Sequence, residues 1–225
     1  PEPSEASNFL NLALIFIAPL LIFAALLFVL MRFVLPRGIR ISFYRELKSF
    51  FFSPVAYVCV VVFIAAVTAL AFTLGAFIEA GQASLNQFFM FHPWVFIIVA
   101  PAIGMRLWSE EHRQGTIELI STMPVVIWHV IFGKFLAACI VILAALVCTW
   151  PAVFTLERLG KPDPGPMWSG YLGSFLLAVS FLAITSLISI FTRSQVIAFL
   201  VSALLATVIL VVGLPPFARF LRGPA

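Results

Sequence analysis

The chain has 225 residues, of which 63% are apolar and 10% charged, and its mean hydropathy is +1.17. A soluble domain is about half apolar and about a quarter charged, and a globule this small has too little interior to hide the surplus. The composition excludes a soluble enzyme and describes a chain that lives in a bilayer. The net charge of +4 is informative by position rather than by size.

About 20 apolar residues cross a bilayer as a helix, and six runs of that kind occur in order: Phe9–Met31, Val55–Ile78, Phe88–Met105, Phe135–Leu156, Ser169–Thr192 and Val196–Pro215. The fold expected is all-α, a polytopic bundle of about six transmembrane helices with an amphipathic interfacial helix and a cytoplasmic helical segment. A β-barrel would alternate polarity residue by residue, whereas Val58–Thr73 is apolar on every side. The leading run is not a secretory signal, because Glu2 and Glu5 stand where a basic n-region belongs.

Between the first two spans lies Ile39–Ser53, IRISFYRELKSFFFS. On a helix Phe43, Leu47, Phe50 and Phe51 share one side, and Ser42, Arg45, Glu46 and Ser49 share the other. This predicts a helix lying at the interface, with Lys48 snorkelling at its flank and Pro54 ending it. The outer edge of the third span carries FFMFHPW, residues Phe88–Trp94, an aromatic outer loop that contains His92. No second ligand accompanies His92, so no metal site is expected.

After the third span comes Met105–Lys134, MRLWSEEHRQGTIELISTMPVVIWHVIFGK. It offers Arg106, Glu110, Glu111 and Arg113, then Gly115, Thr116 and Glu118, then the apolar residues Ile117, Leu119, Ile120 and Met123 before Pro124. A charged helix, a glycine break and a short helix with one apolar face suit docking onto a soluble partner; the alternative is a solvated loop lying against the bilayer. The later outer loop, ERLGKPDPGP, carries Glu157, Arg158, Lys161 and Asp163 among turn residues.

Nine basic residues fall in the loops between spans one and two, three and four, and five and six, against Arg158 and Lys161 on the opposite side. By the positive-inside rule those three loops are cytoplasmic, which puts both termini outside. Arg219 and Arg222 in the tail run against that trend. The three cysteines, Cys59, Cys139 and Cys148, lie in apolar runs without metal-ligand spacing and read as small hydrophobes.

The spans so drawn contain no Asp, Glu, Lys or Arg. Ion-coupled transporters and proton pumps place such groups in the membrane, so ion coupling is not expected. A phosphate-cradling loop is also missing: Gly133-Lys134 is followed by Phe135 and preceded at the required position by Trp128. If the protein does active work, the energy must enter from another polypeptide on the cytoplasmic side.

The series RELKSFFFSPVAYV, FHPWVFIIVAPAIGMRLWSEEHRQGTIELISTMPV, GKFLAA, LGKPDPG, GYLGSFLLAVSFLAI and SQVIAF resembles the membrane subunit of ABC type-2 transporters, and within them the gliding-motility-type (GldF-like) branch. The resemblance covers about residues 39–216. It implies a permease, an exporter without catalytic residues of its own, that dimerises and pairs with a separate cytoplasmic ATPase in which ATP and Mg2+ bind. It also implies the bacterial cytoplasmic membrane and no nucleic-acid partner.

By the same resemblance Arg45, Glu46, Lys48 and Pro54 belong to the connecting helix. Arg106, Glu110, Glu111, Arg113, Gly115, Thr116 and Glu118 would form the coupling segment that takes up the motion of the ATPase. The chain then divides into an extra leading helix (1–38), the interfacial helix (39–54), the permease core (55–218) and a tail (219–225). The leading run either fills the place of the family's last core span or, through NFLNLALIFIAPLL, resembles the anchor that ends a GldG-like companion subunit. From a different class, the alternative function is a non-transporting membrane anchor for a soluble partner.

Small residues at helical spacing, Ala65 and Ala69, Ser174 and Ala178, Ser202 and Ala206, allow close helix contacts. Polar residues such as Thr68, Thr73, Ser180, Thr185, Ser186 and Ser189 are few, which points to a hydrophobic or amphipathic cargo, or to mechanical work on a partner.

Overall fold

The computed structural model describes residue 25 and residues 35–73, 86–122, 126–151 and 164–214. Apart from residue 25, the leading run Phe9–Met31 lies outside the described residues, as do the charged part of the outer loop (157–163) and the tail 219–225. The elements are α1 (Arg37–Phe52), α2 (Pro54–Thr73), α3 (Asn86–Gly104), α4 (Arg106–Gln114), α5 (Thr116–Thr122), α6 (Ile127–Val147), α7 (Pro164–Phe191) and α8 (Gln195–Gly213), with no strand among the described residues. Among the described residues, five helices are long and apolar enough to cross a membrane: α2, α3 run together with α4, α6, α7 and α8.

Their outward faces carry large apolar side chains, among them Val61, Leu172, Phe191 and Leu204, all exposed. Helices apolar on every side are stable where the surroundings are lipid, which also forces each backbone to satisfy itself. Thr185, Ser189 and Ser202 obey the same constraint, donating their hydroxyls to Phe181, Ser186 and Ala198 carbonyls of their own helices.

α3 is the central element, packed on α2, α7 and α8, while α6 packs on α7 and α2 and carries α1 along its other flank. Phe63 of α2 stacks on Phe96 of α3 at 4.7 Å between ring centroids. Pro93 and Pro101 lie inside α3 without ending it. Two of the small-residue pairs, Ser174 with Ala178 and Ser202 with Ala206, are buried within the bundle; Ala65 and Ala69 face outward on α2.

The structure corrects several expected boundaries. FFMFHPW is helical and belongs to α3, so His92 is a buried residue of the span and not part of an outer loop. Its Nδ1 lies 2.8 Å from Ser174 Oγ, and Phe63, Phe88, Phe89 and Phe96 ring it. α7 begins at Pro164 instead of Ser169, consistent with the fit of proline in a helix's first turn. α6 begins at Ile127 instead of Phe135, because VVIWHVIF is as apolar as the rest of that helix. That extension brings Lys134 inside a span expected to be free of charge.

Candidate functional site

The charged residues expected at the site converge on one end of the bundle, around α4. This helix continues α3 after a single break at Met105, whose N–H still donates to Pro101 O at 2.8 Å. Leu107, Trp108 and Ser109 are buried against the bundle. Arg113 and Gln114 point outward, so one face holds the helix in place and the other is free. Gly115 ends α4 with φ of 70°, a left-handed conformation that a Cβ disfavours. The chain turns there into α5, whose first turn presents Glu118 to the outside.

The expected pattern of charged helix, glycine break and short helix is therefore the one observed. Ile117 of α5 packs against the core. Met123 and Pro124, together with the side chains of Leu119 and Ile120, lie outside what the structure describes.

Lys134 is the centre of the ionic network. Its side chain is buried, with 3% accessibility. It donates to Glu46 Oε2 at 3.0 Å, pairs with Glu111 Oε1 at 2.9 Å and donates to Leu107 O at 2.9 Å. An ammonium has three N–H groups, and three acceptors surround this one. Trp108 adds its ring, with Nζ 5.4 Å from the centroid. Arg45 Nη2 closes the group at 3.4 Å from Glu111 Oε1. Arg45 and Lys134 together balance Glu46 and Glu111, which makes a cation tolerable inside an apolar helix.

Glu46 thus turns out differently from its predicted place on the solvent side of α1. The buried face of α1 contains Phe43 and Phe50, and Glu46 lies between them at helical spacing, with 15% side-chain exposure. Phe51, expected on the packed side, is exposed, as are Ile41, Tyr44 and Phe52. The reason is Gly133. A Cβ there would stand 2.6 Å from Ser42 Cβ and 2.9 Å from Phe43 N, so α1 approaches α6 backbone to side chain at this point. Lys48 is exposed, and Pro54 opens α2 after Ser53 adopts an extended conformation.

Glu110 makes the second group of contacts. Its Oε1 accepts from Arg113 Nη2 at 3.1 Å and Gln114 Nε2 at 3.0 Å, and its Oε2 accepts from Gln195 Nε2 of α8. Arg106 lies 3.9 Å from Glu110 Oε2 and donates to Ser53 Oγ at the corner between α1 and α2. Thr116 Oγ1 donates to Glu111 O at 3.4 Å. His112 Nε2 is 2.5 Å from Ile190 O; a carbonyl only accepts, so this nitrogen carries the proton.

Between α1, α4 and α6 these side chains line a cavity of about 390 Å³, bounded by Arg45, Glu46, Ser49, Phe50, Arg106, Glu110, Glu111, Gln114 and Lys134. Its charges balance, three basic against three acidic.

The structure therefore sorts the expected site residues into two sets. Glu46, Glu111 and Arg106 are spent on intramolecular contacts, whereas Arg113, Gly115 and Glu118 lie outward on the elbow. Lys134 and Gln195 were missed as site residues. The apolar stretch ahead of Gly133-Lys134 was the available signal for the first; nothing in the sequence marks the second.

A family model described as ABC-2 family transporter protein matches residues 90–220, more than half of the chain. The match spans α3 to α8 and includes the elbow, while α1 lies before it. No curated protein and no solved structure matches the chain. With five apolar spans among its described residues, the chain belongs to the ABC-2 transporter family, as a multi-pass membrane permease subunit.

Proposed function

We propose that this permease is driven by a separate cytoplasmic ABC ATPase that docks on the elbow formed by α4, Gly115 and α5, with ATP and Mg2+ bound in that partner. One observation carries the reading: α4 is the direct continuation of the central span α3, and it ends in an exposed turn bearing Arg113, Gln114 and Glu118. A push on that turn reaches the middle of the bundle through a single helix. The distribution of basic residues supports a cytoplasmic location for this end.

The permease acts as a dimer in a bacterial cytoplasmic membrane, in the manner of the GldF-like branch it resembles, and works as an exporter. Its cargo is hydrophobic or amphipathic. The buried hydroxyls of Thr185, Ser189 and Ser202 are used within their own helices, which leaves them poor ligands for a hydrophilic solute. Bound polar solute in a wide aqueous dimer cavity would overturn the cargo assignment.

Affinity purification of the tagged chain from its native membrane tests the central claim. A P-loop ATPase should co-purify in stoichiometric amount. Arg113→Glu combined with Glu118→Lys should lose it while the permease keeps its yield and monodispersity, because both side chains are exposed. Wild-type permease recovered without an ATPase would refute the reading and favour a non-transporting anchor.

A further inference from the structure

The ionic group around Lys134 joins three elements that are remote in sequence. Glu46 comes from α1, Glu111 and the Leu107 carbonyl from α4, and Lys134 from α6. We propose that Lys134 is a positioning residue, a pin that holds α1 and α4 as one body on α6, so that motion imposed on α4 is carried by α1 and α6 together. The proposal rests on the reading that α4 receives force from an ATPase, and it assigns the route that force takes once it arrives.

Two features of the geometry argue for a pin over a surface ion pair. An exposed Lys–Glu pair is screened and can exchange partners; here the ammonium is buried and all three of its N–H groups have acceptors within 3.0 Å. In addition, both carboxylates depend on the same cation. Without it Glu46 and Glu111 would face each other with only Arg45, which is exposed, to separate them. Like charges in a poorly hydrated site repel, so loss of Lys134 pushes α1 away from α4 instead of merely releasing it. α4 has further ties, to Ser53 through Arg106 and to α8 through Glu110 and Gln195, but none of them joins α4 to α6.

A distance measurement in lipid nanodiscs tests the pin. Nitroxide labels on Ser49→Cys of α1 and Gln114→Cys of α4, at the exposed rim of the cavity, report the α1–α4 separation once Cys59, Cys139 and Cys148 are replaced by alanine. With labelled chains diluted into unlabelled ones, so that the two copies of the dimer add no distances of their own, the wild-type background should give a single narrow distance that does not change when the ATPase binds ATP. Lys134→Met should lose that narrow distance. Glu46→Gln, the milder change, should broaden it less and serves as the test if Lys134→Met does not fold.

Lys134→Arg should restore the narrow distance. A guanidinium keeps the charge and has five donors, Glu111 Oε2 is buried without a hydrogen bond among the described residues, and the adjoining cavity has room for the larger group. A lysine that only fills space would show no such rescue by charge. Folded Lys134→Met with the wild-type distance would overturn the pin, and so would a wild-type distance that changes on ATP binding. Failure of the unlabelled permease to bind any ATPase refutes the proposed function instead, and the comparison of labelled variants without ATPase still decides the pin.

Discussion

Alanine at Gly133 should be poorly tolerated, and the reason can be worked out from the α1–α6 contact. The added Cβ would lie 2.6 Å from Ser42 Cβ, 2.9 Å from Phe43 N and 3.0 Å from Ile39 O. Two of those atoms are backbone, so no rotamer change relieves the clash and α1 must retreat by about 1 Å. Overpacking of this kind costs about 1–3 kcal/mol, against which alanine recovers up to about 1 kcal/mol of helix propensity. The net expectation is a loss of up to about 3 kcal/mol. The same retreat would stretch the 3.0 Å contact between Lys134 and Glu46 towards about 4 Å, loosening the ionic group as well.

Gly173 of α7 is the matched control, because nothing among the described residues lies within 4 Å of a Cβ built there. Gly173→Ala should be neutral or stabilising by less than about 1 kcal/mol. Thermal unfolding of both variants in the same nanodisc, followed by tryptophan fluorescence, makes the comparison. Equal midpoints for the two would refute the claim that α1 is seated against the α6 backbone at Gly133.

Two further outcomes rest on the same kinds of contact. Glu111→Lys would set a third cation beside Lys134 and Arg45 in place of their shared anion; breaking a buried pair costs about 3–5 kcal/mol, so folded yield by fluorescence-detected size exclusion should collapse, whereas Glu118→Lys should match wild type. At the other end of the bundle, a double-mutant cycle on His92→Phe and Ser174→Ala should return a coupling of about 0.6 kcal/mol and no more than about 1.7, the average and maximum for interhelical hydrogen bonds in a membrane protein. A coupling of zero in unfolding measurements would mean that the His92–Ser174 contact does not hold α3 to α7.

The spans and the elbow were legible in the sequence because their signals are local. Apolar runs long enough to cross a bilayer mark α2, α3, α6, α7 and α8 whatever surrounds them, and Gly115 between two short helical patterns marks a break. The misplacement of Lys134 has one cause. A charge inside an apolar run reads as the end of a span, so Lys134 was predicted to lie in a loop and α6 to begin one residue after it. What permits Lys134 in the helix is the pair of carboxylates that meets it, and one of these, Glu46, lies 88 positions away.

Glu46 was misplaced for the matching reason. Periodicity along α1 set it among Ser42, Arg45 and Ser49, and only the approach allowed by Gly133 shows that its side of the helix is the packed one. Glu46, Glu111 and Glu118 are the same residue type in similarly charged surroundings along the chain, yet the first two face inward and the third faces outward. The difference lies in α6, which brings one cation between α1 and α4 and none to α5. The apolar residues settle where the chain lives, but which of its few charges can meet a partner is decided by which of them Lys134 has already taken.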